Sequence, residues 1–353
     1  MRVVQDPGAL DALEPTWREL HEQSGAAVFQ SFEWLSTWSH VFGAERGRQP
    51  HLVLAYAGER LVGIAPFVMT VSGGGDAPVS RSLALMGRGN RTGLSDHLDI
   101  VTCPEYRTPV CRAIARHLAE VCADLDFVLF SRLPEDSPHR LVLLEELRQT
   151  GLDVSQSSAG ACPRTTLLPD WETVRHGWRL SHALEYRRRR LTRRFGAEFE
   201  RVADAAEVPA AIEDFMRLHQ LRWNRVGQPG VFSDSQLVRF HREVAPRLHR
   251  RGWLFLIFLR LGGARVAACY CLRSHNDMWG GVSAVGDVGD ASKESPGLVL
   301  HYWCLETAAR EGIEIFDFGL GQEDYKYGLG AVDRPNWTLL VRSAAHAHGA
   351  GLP

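Results

Sequence analysis

Lysine is nearly missing from this chain of 353 residues: of its 40 Lys+Arg, only Lys293 and Lys326 are lysines. Arginine does the remaining cationic work, so either lysine marks a position suited to a compact, titratable point charge or its placement is chance. Net charge is scarce too. At −2 the formal balance excludes a general electrostatic case for nucleic-acid or membrane binding. Paired cysteines are absent: Cys103, Cys111, Cys122, Cys162, Cys269, Cys271 and Cys304 are odd in number and form no C-x-x-C. That excludes the zinc and thioredoxin-like patterns and a disulfide framework, and no metal is expected. No apolar run reaches the length of a membrane helix, about 18 residues or more. The opening Met1 to Leu10 lacks the apolar core of a secretory signal, so the expected setting is a reduced cytoplasm. The G-x-S-x-G elbow, the Walker loop, H-E-x-x-H and the dinucleotide fingerprint are also missing.

What is present is a repeat. Two apolar strand pairs stand out, Leu52 to Met69 turning at Gly58-Glu59-Arg60 and Trp253 to Leu272 turning at Gly262-Gly263. Both read as β-hairpins with glycine in the turn. Each is followed by a short strand, at 83–86 in the first half and near 278–283 in the second. Next comes a helix with apolar residues at helical spacing, 107–123 and 297–311, and then an apolar strand, Phe127 to Phe130 and Ile313 to Phe318. In the first half a further strand is expected at 96–101. Helices near 179–195, 207–226 and 234–250 separate the halves. The expected fold is α/β (α+β), a mixed sheet flanked by helices built twice, with domains 1–170 and 171–353.

Three segments carry candidate chemistry. Ser295-Pro296-Gly297 opens the helix 297–311, with Ser295 expected as N-cap and Pro296 in the first turn. The N–H groups of Gly297 and Leu298 would then face an anion, with Lys293 just ahead of them. Arg187, Arg188, Arg189, Arg190, Arg193 and Arg194 crowd one helix and can converge on a phosphate-bearing cofactor or an RNA backbone. The alternative is a solvated face paired with Glu198, Glu200 and Glu207. In the first half, Asp96 and His97 follow the glycine-rich run Gly87 to Arg91 and are candidates to accept a proton. His97 and Asp99 are expected on one strand face, with Asp96 on the other.

The segment Phe316-Asp317-Phe318-Gly319-Leu320-Gly321-Gln322-Glu323-Asp324-Tyr325-Lys326 is the most motif-like of all. With it, the run Phe29 to Trp38, the arginine-rich helix, Trp223, Gly230-Val231-Phe232 and the Ser295-Pro296-Gly297 helix start together resemble the GNAT-superfamily acyltransferases associated with bacterial cellulose biosynthesis. The resemblance spans about nine-tenths of the chain, and it extends in architecture to the Fem-type aminoacyl transferases. It implies two tandem GNAT-like domains, the first degenerate and shaping the acceptor pocket, the second catalytic. It implies an acyltransferase moving an acyl group from a thioester, acyl-CoA as co-substrate, to an amine or hydroxyl of a small-molecule or sugar-type acceptor in a cleft between the halves. Aminoacyl-tRNA is the alternative donor, and a GNAT fold kept only for binding is the rival class. By the resemblance Lys326 and Tyr325 are the positions expected to carry catalysis, with Asp317, Glu323, Asp96 and His97 as base candidates. Glu323, Trp223 and Trp34 are the candidates to touch substrate. Val285 to Gly297 departs from the Q/R-x-x-G-x-G/A phosphate loop of that superfamily.

Overall fold

The computed structural model describes residues 1–43, 47–74, 77–88 and 94–343, so Gly89 to Arg91 of the glycine-rich run lie outside the described residues. The chain divides into two compact units: Met1–Gly160 together with the segment from Pro335, and Ala161–Arg334. The first unit holds β1 (Arg2–Val4), α1 (Pro7–Asp11), α2 (Glu14–Ser24), α3 (Phe32–Trp38), β2 (Arg48–Ala57), β3 (Arg60–Gly74), β4 (Ala77–Leu85), β5 (Val101–Thr102), α4 (Arg107–Val121), β6 (Phe127–Pro134), α5 (Arg140–Gln149) and β7 (Asp153–Ala161). The second holds β8 (Arg164–Thr166), α6 (Trp171–His176), α7 (Ser181–Phe195), β9 (Glu198–Arg201), α8 (Val208–Arg225), α9 (Ser235–Arg250), β10 (Leu254–Leu261), β11 (Ala264–Ser274), β12 (Asp277–Val285), α10 (Pro296–Arg310), β13 (Ile315–Asp317) and α11 (Asp324–Gly328). The final strand, β14 (Pro335–Arg342), returns to the first.

The repeat takes the same topology in both units. β2 and β3 form an antiparallel hairpin, β4 pairs with β3, α4 crosses over, and β6 pairs parallel to β4. In the second unit β10 and β11 form the hairpin, β12 pairs with β11, α10 crosses over, and β13 pairs parallel to β12. A parallel pair needs such a crossover, which is why each unit contains one long helix at that point. The two sheets run β1-β2-β3-β4-β6-β14-β7, with β5 beside β3, and β8-β13-β12-β11-β10-β9. Both are mixed sheets flanked by helices, as the sequence predicts.

Alternation along β11 explains how the second sheet is covered on both faces. Cys269 and Cys271 point into a core shared with Leu184 and Leu191 of α7 and Leu300 and Cys304 of α10. Tyr270, between them, faces the other way and meets Phe215 of α8, ring centroids 5.4 Å apart. All seven cysteines are buried as free thiols, in keeping with a packing role. Among the described residues no helix is long and apolar enough to cross a membrane.

Two features differ from the sequence reading. Residues 96–100 form no strand; only Val101–Thr102 pairs, so the argument that His97 and Asp99 share a strand face does not hold. Side-chain bonds take over instead: the Asp99 carboxylate accepts locally from the Ile100 N–H at 2.8 Å, and from the distant Ser137 Oγ at 2.6 Å. The second is β14. A boundary at 170 assigns it to the second half, but it pairs antiparallel with β6 of the first unit, Leu340 opposite Leu129.

Candidate active site

The site grows from a fault in β12. Tyr270 is paired with Val282 and Leu272 with Trp279, so Gly280 and Gly281 together oppose Cys271 in a β-bulge. Gly280 is required there by space: a Cβ would stand 2.3 Å from the ring of the fully buried Phe316. β12 then parts from its neighbour. Its parallel register with β13 covers only Asp277–Trp279 against Ile315–Asp317, while β12 itself runs on to Val285.

A cavity of about 370 Å³ lies beyond this parting, and all of its lining residues belong to the second unit. One wall is the end of β12 and the loop after it, with Ser283, Val285, Gly286 and Val288. Opposite stands the start of α10, with Ser295, Pro296, Gly297 and Leu298. Arg222 and Arg225 from the last turn of α8 add two cations. Among the described residues neither has an ion pair with a carboxylate. Arg222 rests its guanidinium 3.4 Å from Ser283 Oγ. A helix start with its positive dipole end and two arginines on one cavity favour an anionic or strongly polar ligand.

The helix start is built differently from a standard cap. Ser295 sits in the left-handed region, φ 51°, and makes no side-chain capping bond. Its hydroxyl accepts from Arg187 Nη1 at 2.7 Å, while its carbonyl takes the N–H groups of Leu298 and Val299, each at 3.0 Å. Leu298 therefore offers the cavity its side chain and no free donor. Lys293 does not line the cavity; it is exposed and lies 3.5 Å from Asp290.

Tyr325 and His301 close the inner end. Tyr325 lines the cavity from α11. Burial, with the Glu323 charge behind it, pushes its phenol up, so it remains protonated near neutral pH. His301 lies one turn into α10, 4% exposed, and neither ring nitrogen has a hydrogen-bond partner. Its ring centroid is 5.5 Å from that of Tyr325. Burial first, then the charges of Lys326 and Arg222, hold His301 down at about 4, so it is neutral at physiological pH.

The acidic-lysine segment turns out to be the frame of this site. Lys326 is 2% exposed and does not line the cavity. Its Nζ donates to the carbonyls of Gly319, Leu320 and Gly321 at 3.1, 3.3 and 2.9 Å and meets Glu323 Oε2 at 2.9 Å. Such a turn needs Gly319 and Gly321, whose φ values are 69° and 116°. Asp317 is buried, accepts from the Gly319 N–H at 2.8 Å and lies 3.6 Å from Arg334. Asp317 and Lys326 thus hold one loop from both ends, and that loop delivers Tyr325 to the cavity wall. Glu323 is the exposed partner of Lys326.

The arginine helix is largely engaged within its own unit. Arg188 pairs with Glu306 and Glu185, Arg189 with Glu185, and Arg190 with Glu294. The partners come from α7, from α10 and from the turn before it, and differ from Glu198, Glu200 and Glu207. Arg187 and Arg188 do not line the cavity. Trp223 does not either: its Nε1 donates to His219 Nε2 at 2.9 Å, and a Cβ on Gly230 would stand 2.3 Å from Gln220 Oε1. The Gly230-Val231-Phe232 motif is thereby explained as packing of the α8–α9 turn, with Phe232 against Phe215 and His219.

The first-unit candidates each have partners within their own unit. Trp34 is 1% exposed and donates to Ser95 Oγ at 2.9 Å within the core of the first unit. Asp96 is paired with Arg132 at 2.9 Å, and its carbonyl accepts from Asn336 at 2.6 Å. His97 is buried beside Phe29 and takes a bond from Gln30 on its carbonyl. Of the positions named from sequence, the cavity gathers Tyr325, Ser295, Gly297 and Leu298. Sequence reasoning missed Arg222, Arg225 and His301. The signal for His301 was a polar residue four positions after Gly297, on the same face of the helix.

Residues 179–327 match the model of the acetyltransferase (GNAT) domain. No curated protein matches the chain by sequence. Among solved structures it is similar to FemX, TM-score 0.63 at 10% identity, over 96% of this chain and 97% of that one. It is similar also to the C-terminal domain of a putative lysylphosphatidylglycerol synthetase from Agrobacterium fabrum, TM-score 0.52 at 13% identity over 93% of each chain. L-PGS from Bacillus licheniformis is similar at 0.53 and 10%, over 96% and 93%. At such identities the likeness is one of fold. The chain therefore has a FemX-like fold built from two units of one topology, and residues 179–327 of the second match the GNAT acetyltransferase domain.

Proposed function

We propose that the protein is an acyltransferase that takes an acyl group from a thioester, acyl-CoA, and passes it to an amine or hydroxyl of a small acceptor. The observation that carries this reading is the cavity between the parted β12 and the start of α10, with Arg222 and Arg225 on its rim. The phosphates of the donor would meet the helix start and the two arginines, where charge-assisted bonds are strong. The acyl arm would run along the end of β12, whose backbone offers donors to a thioester oxygen as negative charge develops. Attack is direct, with no covalent enzyme intermediate. An aminoacyl-tRNA donor draws less support, because three arginines of the basic helix are spent on Glu185, Glu294 and Glu306.

The test is release of free thiol from acetyl-CoA and longer acyl-CoAs, with amines, amino sugars and alcohols as acceptors. Arg222→Ala/Arg225→Ala should raise KM for the thioester at least about tenfold, the scale of two lost ionic bonds partly screened by solvent. No thiol release from any acyl-CoA, alongside transfer from a charged tRNA, would replace this reading with the aminoacyl one.

A further inference from the structure

We infer that His301 takes the proton of the acceptor during acyl transfer in this cavity, an assignment that rests on the acyl-thioester reading. The observation is an unmet need. His301 is buried, borders the cavity, and leaves both ring nitrogens without a partner. Leaving a buried polar group unpaired costs roughly 1–3 kcal/mol, and among the described residues His301 is the buried unpartnered side chain that borders this cavity. No described side chain pairs with either ring nitrogen. A ligand in the cavity is the group in position to supply the missing hydrogen bonds.

The chemistry fits a neutral imidazole, which offers one N–H and one acceptor nitrogen. Burial and the nearby Lys326 and Arg222 charges keep the ring unprotonated at neutral pH. In the step, the lone pair of the acceptor nitrogen or oxygen forms a bond to the thioester carbonyl carbon. The carbon–sulfur bond breaks and its electron pair leaves on sulfur. The acceptor's proton passes to the free nitrogen of His301. Tyr325, whose ring stands 5.5 Å from that of His301, gives its phenol proton to the departing thiolate and is refilled from the imidazolium. The products are the acylated acceptor and a free thiol, with His301 and Tyr325 restored.

The experiment compares full-length wild type with His301→Gln and His301→Asn. Calorimetry reads CoA binding, and thiol release reads acetyl-CoA turnover with a panel of primary amines and with water alone. The expected result is a CoA Kd close to wild type with turnover reduced about 100-fold or more, the usual worth of a positioned proton acceptor. Turnover within about threefold of wild type in a folded variant overturns the assignment. A wild type that binds no CoA fails differently, removing the thioester reading and this step together. Should neither variant fold, the ring nitrogens of His301 in wild type, followed by 15N NMR on adding a non-hydrolysable acetyl-CoA thioether and then a primary amine acceptor, decide the matter. They must shift as hydrogen bonds form; an unmoved ring contradicts the proposal.

Discussion

Lys326 stands in the most motif-like segment and has a structural setting there. A lysine in an arginine-rich chain, beside tyrosine and acidic residues, invites a functional role, yet its ammonium is enclosed by three carbonyls and Glu323. Buried cations persist where every proton has an acceptor. Lys326→Met should lower unfolding stability by roughly 1–3 kcal/mol, because converging carbonyls lose their donor. Turnover should fall with it, since Tyr325 loses the loop that places it. Thermal melting beside activity checks this; lost turnover with unchanged melting would mean that Lys326 acts on substrate. The sequence singles out the loop but cannot tell which of its side chains face inward, because spacing in an irregular turn does not fix direction. His301 was hidden for the converse reason: a polar residue among the apolar ones in the first half of a helix looks like ordinary packing until its partners are counted.

At the scale of elements, the β12 bulge and the brief β12–β13 pairing make the opening. Gly280 allows Phe316 of β13 to pack against β12 at the point where the strands part. Gly280→Ala should cost roughly 1–3 kcal/mol through overpacking and weaken thioester binding by shifting β13 and the loop after it. Chemical denaturation with calorimetry measures both; a stable variant with normal binding would refute this role for the bulge. Hairpins, crossover helices and their order were legible from periodicity and glycine turns. The strand expected at 96–101 was not, because the Asp99 carboxylate captures the Ile100 N–H locally.

For the whole molecule, two copies of one topology share a chain, and the return of β14 to the first sheet is the part no local pattern predicts. Its apolar run fits any sheet, and only pairing over two hundred residues away in sequence decides, Leu340 with Leu129. Acid stability is a further property of the whole. His51 and His219 are held down at about 4, and the fully enclosed His241 at about 3, with burial the largest cause in each case. A histidine whose pKa is lowered on folding costs nothing above its unfolded value of about 6.5. Below it the unfolded chain gains protons first. The unfolding midpoint should therefore fall continuously from pH 6.5 towards 4. A midpoint flat over that range would show these rings to be protonated in the native protein.

The decisive measurement is calorimetric titration of wild type and Arg222→Ala/Arg225→Ala with CoA and acetyl-CoA at two salt concentrations. A thioester site at the start of α10 predicts one site per chain, weaker at high salt, with affinity reduced at least about tenfold in the double variant. Absence of CoA binding to the folded wild type, or binding indifferent to both arginines, would contradict it.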